Sequence, residues 1–151
     1  MRGLLLTLAL GLPLAGFACS GGDPGNTTRT VAGFEISDAW ARNSRPPHAN
    51  SAAFLKIENL GDEVLKVVGA STPRAGVTEL HTMEVVDEKM KMRRVDAFAI
   101  PAGQTQVLEP GSDHLMFFEL DGAWEAGQTI PITLEFADGS TQDLQVEVRT
   151  L

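Results

Sequence analysis

The strongest constraint on the fold is a succession of short, strand-like segments that begins near residue 30 and runs to the end of the chain. Examples are "SAAFLKIEN" (51–59), "HLMFFEL" (114–120) and "STQDLQVEVRT" (140–150). Turn signals such as Pro110-Gly111 and Asp138-Gly139 separate the segments, and no stretch shows the 3.6-residue period of an amphipathic helix. This pattern predicts an all-β domain, an antiparallel β-sandwich or barrel, over residues 31–151.

The first nineteen residues have a different character. Arg2 is followed by an apolar run from Leu4 to Phe17 and by small residues before Cys19. A positive start, an apolar centre and small residues at the end are typical of a secretory signal peptide. The run is shorter than the roughly 20 apolar residues of a permanent membrane helix. We therefore expect residues 1–19 to be a signal peptide and the mature protein to be exported to the periplasm or cell envelope.

Cys19 is the only cysteine of the chain, and its position allows two interpretations. It is either the lipid-modified first residue of a mature bacterial lipoprotein or a neighbour of an ordinary cleavage site. The lipoprotein interpretation is favoured, although Gly16 stands where such sites usually have leucine. Residues 20–30, rich in Gly, Ser and Thr, would then be a flexible tether to a membrane anchor. A single cysteine also excludes a disulfide within the chain.

The balance of charge excludes one class of partner. The formal net charge is −8 at pH 7, whereas binding to nucleic acid requires a basic surface. We therefore expect no nucleic-acid partner. Solubility is the simplest explanation of the acidic composition.

Methionine and histidine are concentrated in one part of the sequence. Apart from Met1, every methionine lies between residues 81 and 116, and the same region holds two of the three histidines: His81, Met83, Met90, Met92, His114 and Met116. The third histidine, His48 in "RPPHAN", is expected to be an exposed loop residue. Methionine packs well in any apolar core, but core packing alone would scatter it more widely.

On β-strands, this cluster forms three pairs, since residues two apart share a face. The pairs are His81 with Met83, Met90 with Met92, and His114 with Met116. A hairpin about Asp87-Glu88-Lys89 would bring the first two pairs together. The register of the hairpin cannot be read from the sequence, so either Met90 or Met92 could lie nearest His81.

Two imidazoles with two or more thioethers are a donor set for a soft cation. Thioether sulfur is uncharged and polarisable and selects Cu(I). Zinc sites use thiolate, imidazole and carboxylate, and calcium and magnesium sites use oxygen. A blue-copper electron carrier needs a thiolate beside its histidines, and Cys19 in the leader region cannot supply one.

The spacing of these residues resembles the PCuAC family of periplasmic copper chaperones. In that family a histidine, ten residues, a methionine, twenty-one residues, a histidine, one residue and a methionine follow one another, and His81, Met92, His114 and Met116 fit this order. The flanking segments "TELHTM", "MKMRRV" and "IPAGQTQVLEPGSDHLMFFEL" also agree, and the resemblance covers residues 31–149. Asp113 and Phe54 depart from it, where relatives often have an aromatic residue and a tyrosine.

The resemblance implies a cupredoxin-like or immunoglobulin-like Greek-key sandwich in which these four residues bind Cu(I) at an accessible edge. Whether Cu(II) is also bound stays open. Met83 and Met90 would be spare thioethers that either pack around the site or act as alternate ligands, with packing favoured. Asp113 would place a charge beside the site.

The resemblance also implies a copper carrier, not an enzyme. The expected recipient is the CuA-bearing subunit of cytochrome c oxidase, together with a thiol-type copper assembly factor. Two alternatives belong to other classes. One is an adhesion or scaffolding sandwich with methionine as filler, and the other is a copper-dependent redox enzyme, against which the thioethers argue because they favour the cuprous state.

Overall fold

The computed structural model describes the backbone of residues 29–31 and the full residues 33–44 and 50–151. The expected signal peptide, Cys19, most of the expected tether and His48 lie outside these residues. Within the described part of the chain, no helix has the length and hydropathy needed to cross a bilayer.

All regular structure in the described residues is β-strand. The strands in chain order are β1 (Arg29–Val31), β2 (Phe34–Arg42), β3 (Asn50–Asn59), β4 (Leu65–Ser71), β5 (Ala75–Val86), β6 (Lys89–Val95), β7 (Phe98–Ile100), β8 (Thr105–Leu108), β9 (His114–Leu120), β10 (Thr129–Phe136) and β11 (Thr141–Arg149). The all-β prediction is therefore confirmed.

The strands form one continuous hydrogen-bonded path in the order β6-β5-β9-β3-β2-β11-β10-β4-β7, with β1 paired to β2 and β8 paired to β3. Every pairing is antiparallel except that of β11 with β2. Strands near opposite ends of the path share one core, since Leu80 of β5 and Ile100 of β7 belong to the same buried cluster. The sheet therefore folds over itself into the expected sandwich.

Alternation along the strands fills this main core. In β11 the residues Gln142, Leu144, Val146 and Val148 are buried while their neighbours face outward. Trp124 closes the core against Phe117, with ring centroids 5.1 Å apart. The alternation of apolar and polar residues, which predicted the strands, also determines which side chains are buried.

Two breaks in the strands differ from the sequence expectation. The segment 30–42 divides at Gly33, which has a φ of 96°, a conformation that favours glycine. The segment 90–98 divides at residues 96–97, because β6 pairs with β5 whereas β7 pairs with β4. The chain thus changes partner strand between Val95 and Phe98. A local apolar pattern carries no signal for such a change.

The hairpin between β5 and β6 is confirmed. Val86 pairs with Lys89, which leaves Asp87 and Glu88 as a two-residue turn with φ values of 52° and 62°. Positive φ at both turn residues is the type I′ geometry, whose twist matches that of the paired strands. This turn sets the register of every β5–β6 pair below.

Candidate metal site

Strand register brings the predicted residues together. His81 lies directly opposite His114 in the β5–β9 pairing, and Met83 lies opposite Met92 in the β5–β6 pairing. Met116, two residues beyond His114, shares its face of the sheet. The four predicted ligands and Met83 therefore project from one face of three neighbouring strands.

The register also decides between Met90 and Met92. Arg94 lies opposite His81, Met92 is one same-face position away, and Met90 is two away, opposite Val85. Met92 is therefore the methionine of β6 that is nearer to the histidines. Met90 lies closer to the turn.

The shared face is the outer face of the sandwich. Leu80 and Leu115 belong to the main core, so His81 and His114, their immediate neighbours in sequence, project to the other side. There Met116 packs with Ala52 and Phe54 in a second, small buried cluster. Phe54, which stands where relatives often have a tyrosine, thus forms the apolar base of the site.

Burial changes steeply across the site. His81 and His114 are only 8% and 5% exposed, and Met116 is 7% exposed, whereas Met92 is 49% exposed. The imidazoles and one thioether thus lie deep, and the second thioether lies at the solvent side.

A cavity of about 210 Å³ opens at this face. Met83, Met92, His114 and Met116 line it, and Arg42 contributes a positive charge to its wall. His81 is not part of the wall but lies against His114, with ring centroids 5.7 Å apart. A larger cavity of about 650 Å³, lined by residues 59, 61–66 and 136–138, contains neither histidine nor methionine.

His114 is oriented by its own loop. Its Nδ1 lies 2.8 Å from the backbone carbonyl oxygen of Ser112. A carbonyl only accepts, so Nδ1 carries the proton and, in the neutral ring, Nε2 keeps a free lone pair. Burial lowers the pKa of His114 below its ordinary value and outweighs the hydrogen bond to Ser112, which raises it. The lowered pKa favours the neutral ring, and the hydrogen bond at Nδ1 leaves its Nε2 available as a ligand.

His81 is held in the opposite tautomer. Its Nε2 lies 2.7 Å from Glu79 Oε2, and Arg94 Nη1 lies 3.3 Å from the other oxygen of the same carboxylate. A carboxylate accepts a hydrogen bond from Nε2–H, which in the neutral ring leaves the lone pair on Nδ1. Within the described residues, Nδ1 is buried and has no hydrogen-bond partner. Leaving a buried polar atom unpaired costs about 1–3 kcal/mol, and a metal ion at Nδ1 would satisfy it.

Asp113, predicted to place a charge beside the site, forms hydrogen bonds with β8 and with the loop before β9. Its Oδ2 accepts a hydrogen bond of 2.6 Å from Gln106 Nε2, and its backbone oxygen accepts one of 2.9 Å from Glu109 N. Within the described residues, no three His, Cys, Asp or Glu side chains are grouped so that they could hold an ion. The donors that converge are imidazole and thioether.

Sequence reasoning missed the residues that support the site. Glu79 stands two residues before His81 and therefore shares its face, so this spacing could have indicated the contact. Arg94 and Arg42 carried no comparable signal, since both lie on strands and their positions beside the site depend on strand register.

Comparison with known proteins identifies the family. The family described as "Putative lipoprotein LpqE-like" matches residues 34–148. The protein named "Putative lipoprotein Lxx21020" from Leifsonia xyli subsp. xyli (strain CTCB07) is 36% identical over 118 residues, which cover 78% of this chain and 70% of that protein.

Solved structures share the fold. The solution structure of CuI-DR1885 from Deinococcus radiodurans is 31% identical, with a TM-score of 0.59, and the match covers 74% of this chain and 76% of that one. The copper-bound PCuAC domain from PmoF2 is 16% identical, with a TM-score of 0.71 and coverage of 83% and 99%; at that identity it shows the fold alone. The resemblance to the PCuAC family is thus confirmed, and the chain belongs to the LpqE-like family.

Proposed function

We propose that this protein is an extracytoplasmic copper chaperone that binds Cu(I) through His81, Met92, His114 and Met116. The observation that carries the proposal is the register that sets His81 opposite His114, with both methionines on the same face. The relative DR1885, whose structure was solved with CuI, is 31% identical to this chain and supports the same cargo.

The donor chemistry favours the cuprous ion. Two thioethers and two imidazoles are neutral, soft or intermediate donors, and thioether sulfur selects Cu(I) over harder ions. Each ring has one nitrogen fixed by a hydrogen bond and the other free, as is usual for metal-bound histidine. The same thioethers disfavour Cu(II), so Cu(II) is expected to bind more weakly.

Two features of the site favour release of the ion: the positive charge at the site and the unequal burial of the ligands. The donors leave the single positive charge of Cu(I) uncompensated, and Arg42 adds another positive charge nearby. A thiolate-bearing partner would therefore compete well for the ion. Met92, which is about half exposed, is the ligand that such a partner would replace first.

The proposal also includes the partner proteins that receive copper and the cellular location of the protein. By resemblance, the recipient is the CuA-bearing subunit of cytochrome c oxidase, with a thiol-type copper assembly factor acting alongside. Acylation of Cys19 would hold the carrier at the membrane near that recipient, in keeping with a family described as lipoproteins. We propose carriage without catalysis, because thioethers stabilise the cuprous state and oppose redox turnover.

The test is anaerobic Cu(I) titration against a chromophoric competitor. The wild-type protein is expected to bind one Cu(I) per chain, and His81→Ala,His114→Ala to bind far more weakly. Thermal unfolding of the metal-free variant shows whether it folds. Equal uptake by a folded double variant and the wild-type protein would contradict the proposal.

A further inference from the structure

Met83 is a thioether that the four-residue motif does not include, yet it lies inside the site. It pairs with Met92 across β5 and β6, and the two line the same cavity as His114 and Met116. In the described residues Met83 belongs to neither apolar cluster. Membership of a buried core therefore does not account for its position beside the predicted ligands.

Three successive cross-strand pairs lead from solvent to the buried rings. Val85 opposite Met90 is the outermost, Met83 opposite Met92 is next, and the third is His81 opposite Arg94, in which His81 is buried and Arg94 is exposed. Exposure falls along β5 from 67% at Val85 to 8% at His81. An ion that approaches from the hairpin side meets the two thioethers before it can reach the histidines.

The geometry of this pair suits a small ion. Residues directly opposite in an antiparallel ladder have Cβ atoms about 4.5–5.5 Å apart. Methionine has three rotatable bonds and a polarisable sulfur. Both side chains can therefore turn their sulfur atoms towards one cation without moving the backbone.

We propose that Met83 and Met92 form a capture site that binds Cu(I) first and passes it to the deeper ligands. This inference rests on the proposed copper binding. In the transfer, the Cu–S bond to Met83 breaks as bonds to His81, His114 and Met116 form, while Met92 stays bound. The ion remains Cu(I) throughout, so no electron or proton acceptor is needed.

Met90 provides a matched control. It has the same side chain on the same hairpin and the same face of β6, and it is 55% exposed. It does not line the cavity, and it lies opposite valine instead of methionine. Leucine is close to methionine in volume, so a leucine substitution at either position removes the sulfur and keeps the apolar bulk.

The experiment is anaerobic stopped-flow uptake of Cu(I) from a weak chromophoric donor, with equilibrium affinity measured alongside. For Met83→Leu we expect uptake about tenfold slower, within the one to three decades over which association rates of related variants vary, and a smaller change in affinity. Met90→Leu should match the wild-type protein in both.

The outcomes separate this inference from the proposed function. Met83→Leu could take up Cu(I) at the wild-type rate while Met92→Leu and His114→Ala bind it more weakly. That result would overturn the capture site alone. Equal slowing in Met83→Leu and Met90→Leu would also overturn it, because the effect would then belong to the exposed surface. Unchanged affinity in Met92→Leu and His114→Ala would overturn both.

Discussion

At the scale of single residues, two hydrogen bonds give the imidazoles of the site opposite tautomers. The carbonyl oxygen of Ser112 accepts a hydrogen bond from His114 Nδ1–H, and Glu79 accepts one from His81 Nε2–H. The free lone pairs are therefore Nε2 on one ring and Nδ1 on the other. A pair of rings facing one ion across a strand ladder needs such fixed orientations, because each ring could otherwise turn its protonated nitrogen inward.

Removing the carboxylate that orients His81 should weaken copper binding. For Glu79→Leu we expect Cu(I) affinity to fall about 10- to 100-fold, the usual effect of losing a residue that orients a metal ligand. Glu79→Gln keeps an oxygen that can accept the proton and should restore most of the affinity. Glu84→Leu is the control, because Glu84 pairs with Arg93 on the other face of β5. Equal affinity in Glu79→Leu and the wild-type protein would refute a positioning role.

Protonation of the site histidines at low pH should lower both the stability of the metal-free protein and the affinity for Cu(I). Burial lowers the pKa of His114 in the folded state, so the unfolded chain, with an ordinary pKa of about 6.5, takes up the proton more readily. The contribution of neutral His114 to the free energy of unfolding is therefore fully present above about pH 6.5, and it is lost as pH falls towards the lowered pKa. Protons also compete with Cu(I) for neutral imidazole, so affinity should weaken below about pH 6. Competitor titrations from pH 8 to 4 measure this, and a flat affinity would argue against histidine ligation.

At the scale of the elements, the β5–β6 hairpin determines which methionine reaches the site. Because residue pairs alternate between faces, a shift of one residue would turn Met92 to the other face of the sheet. The two-residue turn at Asp87-Glu88 excludes that shift in the folded protein.

Exchanging neighbouring residues of β6 tests this register directly. Lys91→Met,Met92→Lys preserves composition but moves the thioether to the opposite face, so Cu(I) affinity should fall at least about tenfold, equivalent to about 1.4 kcal/mol. The parallel exchange Lys89→Met,Met90→Lys should leave affinity unchanged. Wild-type affinity in the first exchange would mean that β6 does not present Met92 to the site.

The hairpin also shows how far sequence alone can lead. Alternation and turn residues were enough to predict the strands, including β9 at 114–120, and the shared faces of His81 with Met83 and of His114 with Met116. They could not predict that β6 and β7 pair with different strands, or that Met92 lies nearer to His81 than Met90. Those features depend on contacts between distant segments. The ion pair of Arg94 with Glu79 was missed for the same reason.

At the scale of the whole molecule, the main core and the proposed metal site lie on opposite faces of the strands they share. Leu115 packs in the main core and Met116, its neighbour, in the small outer cluster. The sandwich thus has a complete core of its own, and ligand exchange on the outer face need not disturb it.

Copper should nevertheless stabilise the fold, since an ion that binds only the folded state adds its binding free energy. At a free Cu(I) concentration of one hundred times the Kd, the gain is about 2.7 kcal/mol. Differential scanning calorimetry under anaerobic conditions should show a higher Tm for the loaded wild-type protein, and no shift for His81→Ala,His114→Ala. A similar shift in both would place the copper elsewhere.

X-ray absorption of the Cu(I)-loaded protein shows which donors bind the ion, because it counts the neighbours of the ion by element. Binding through His81, Met92, His114 and Met116 predicts two nitrogen and two sulfur neighbours, with one sulfur lost in Met92→Leu and one in Met116→Leu. A shell of nitrogen and oxygen without sulfur would contradict the account.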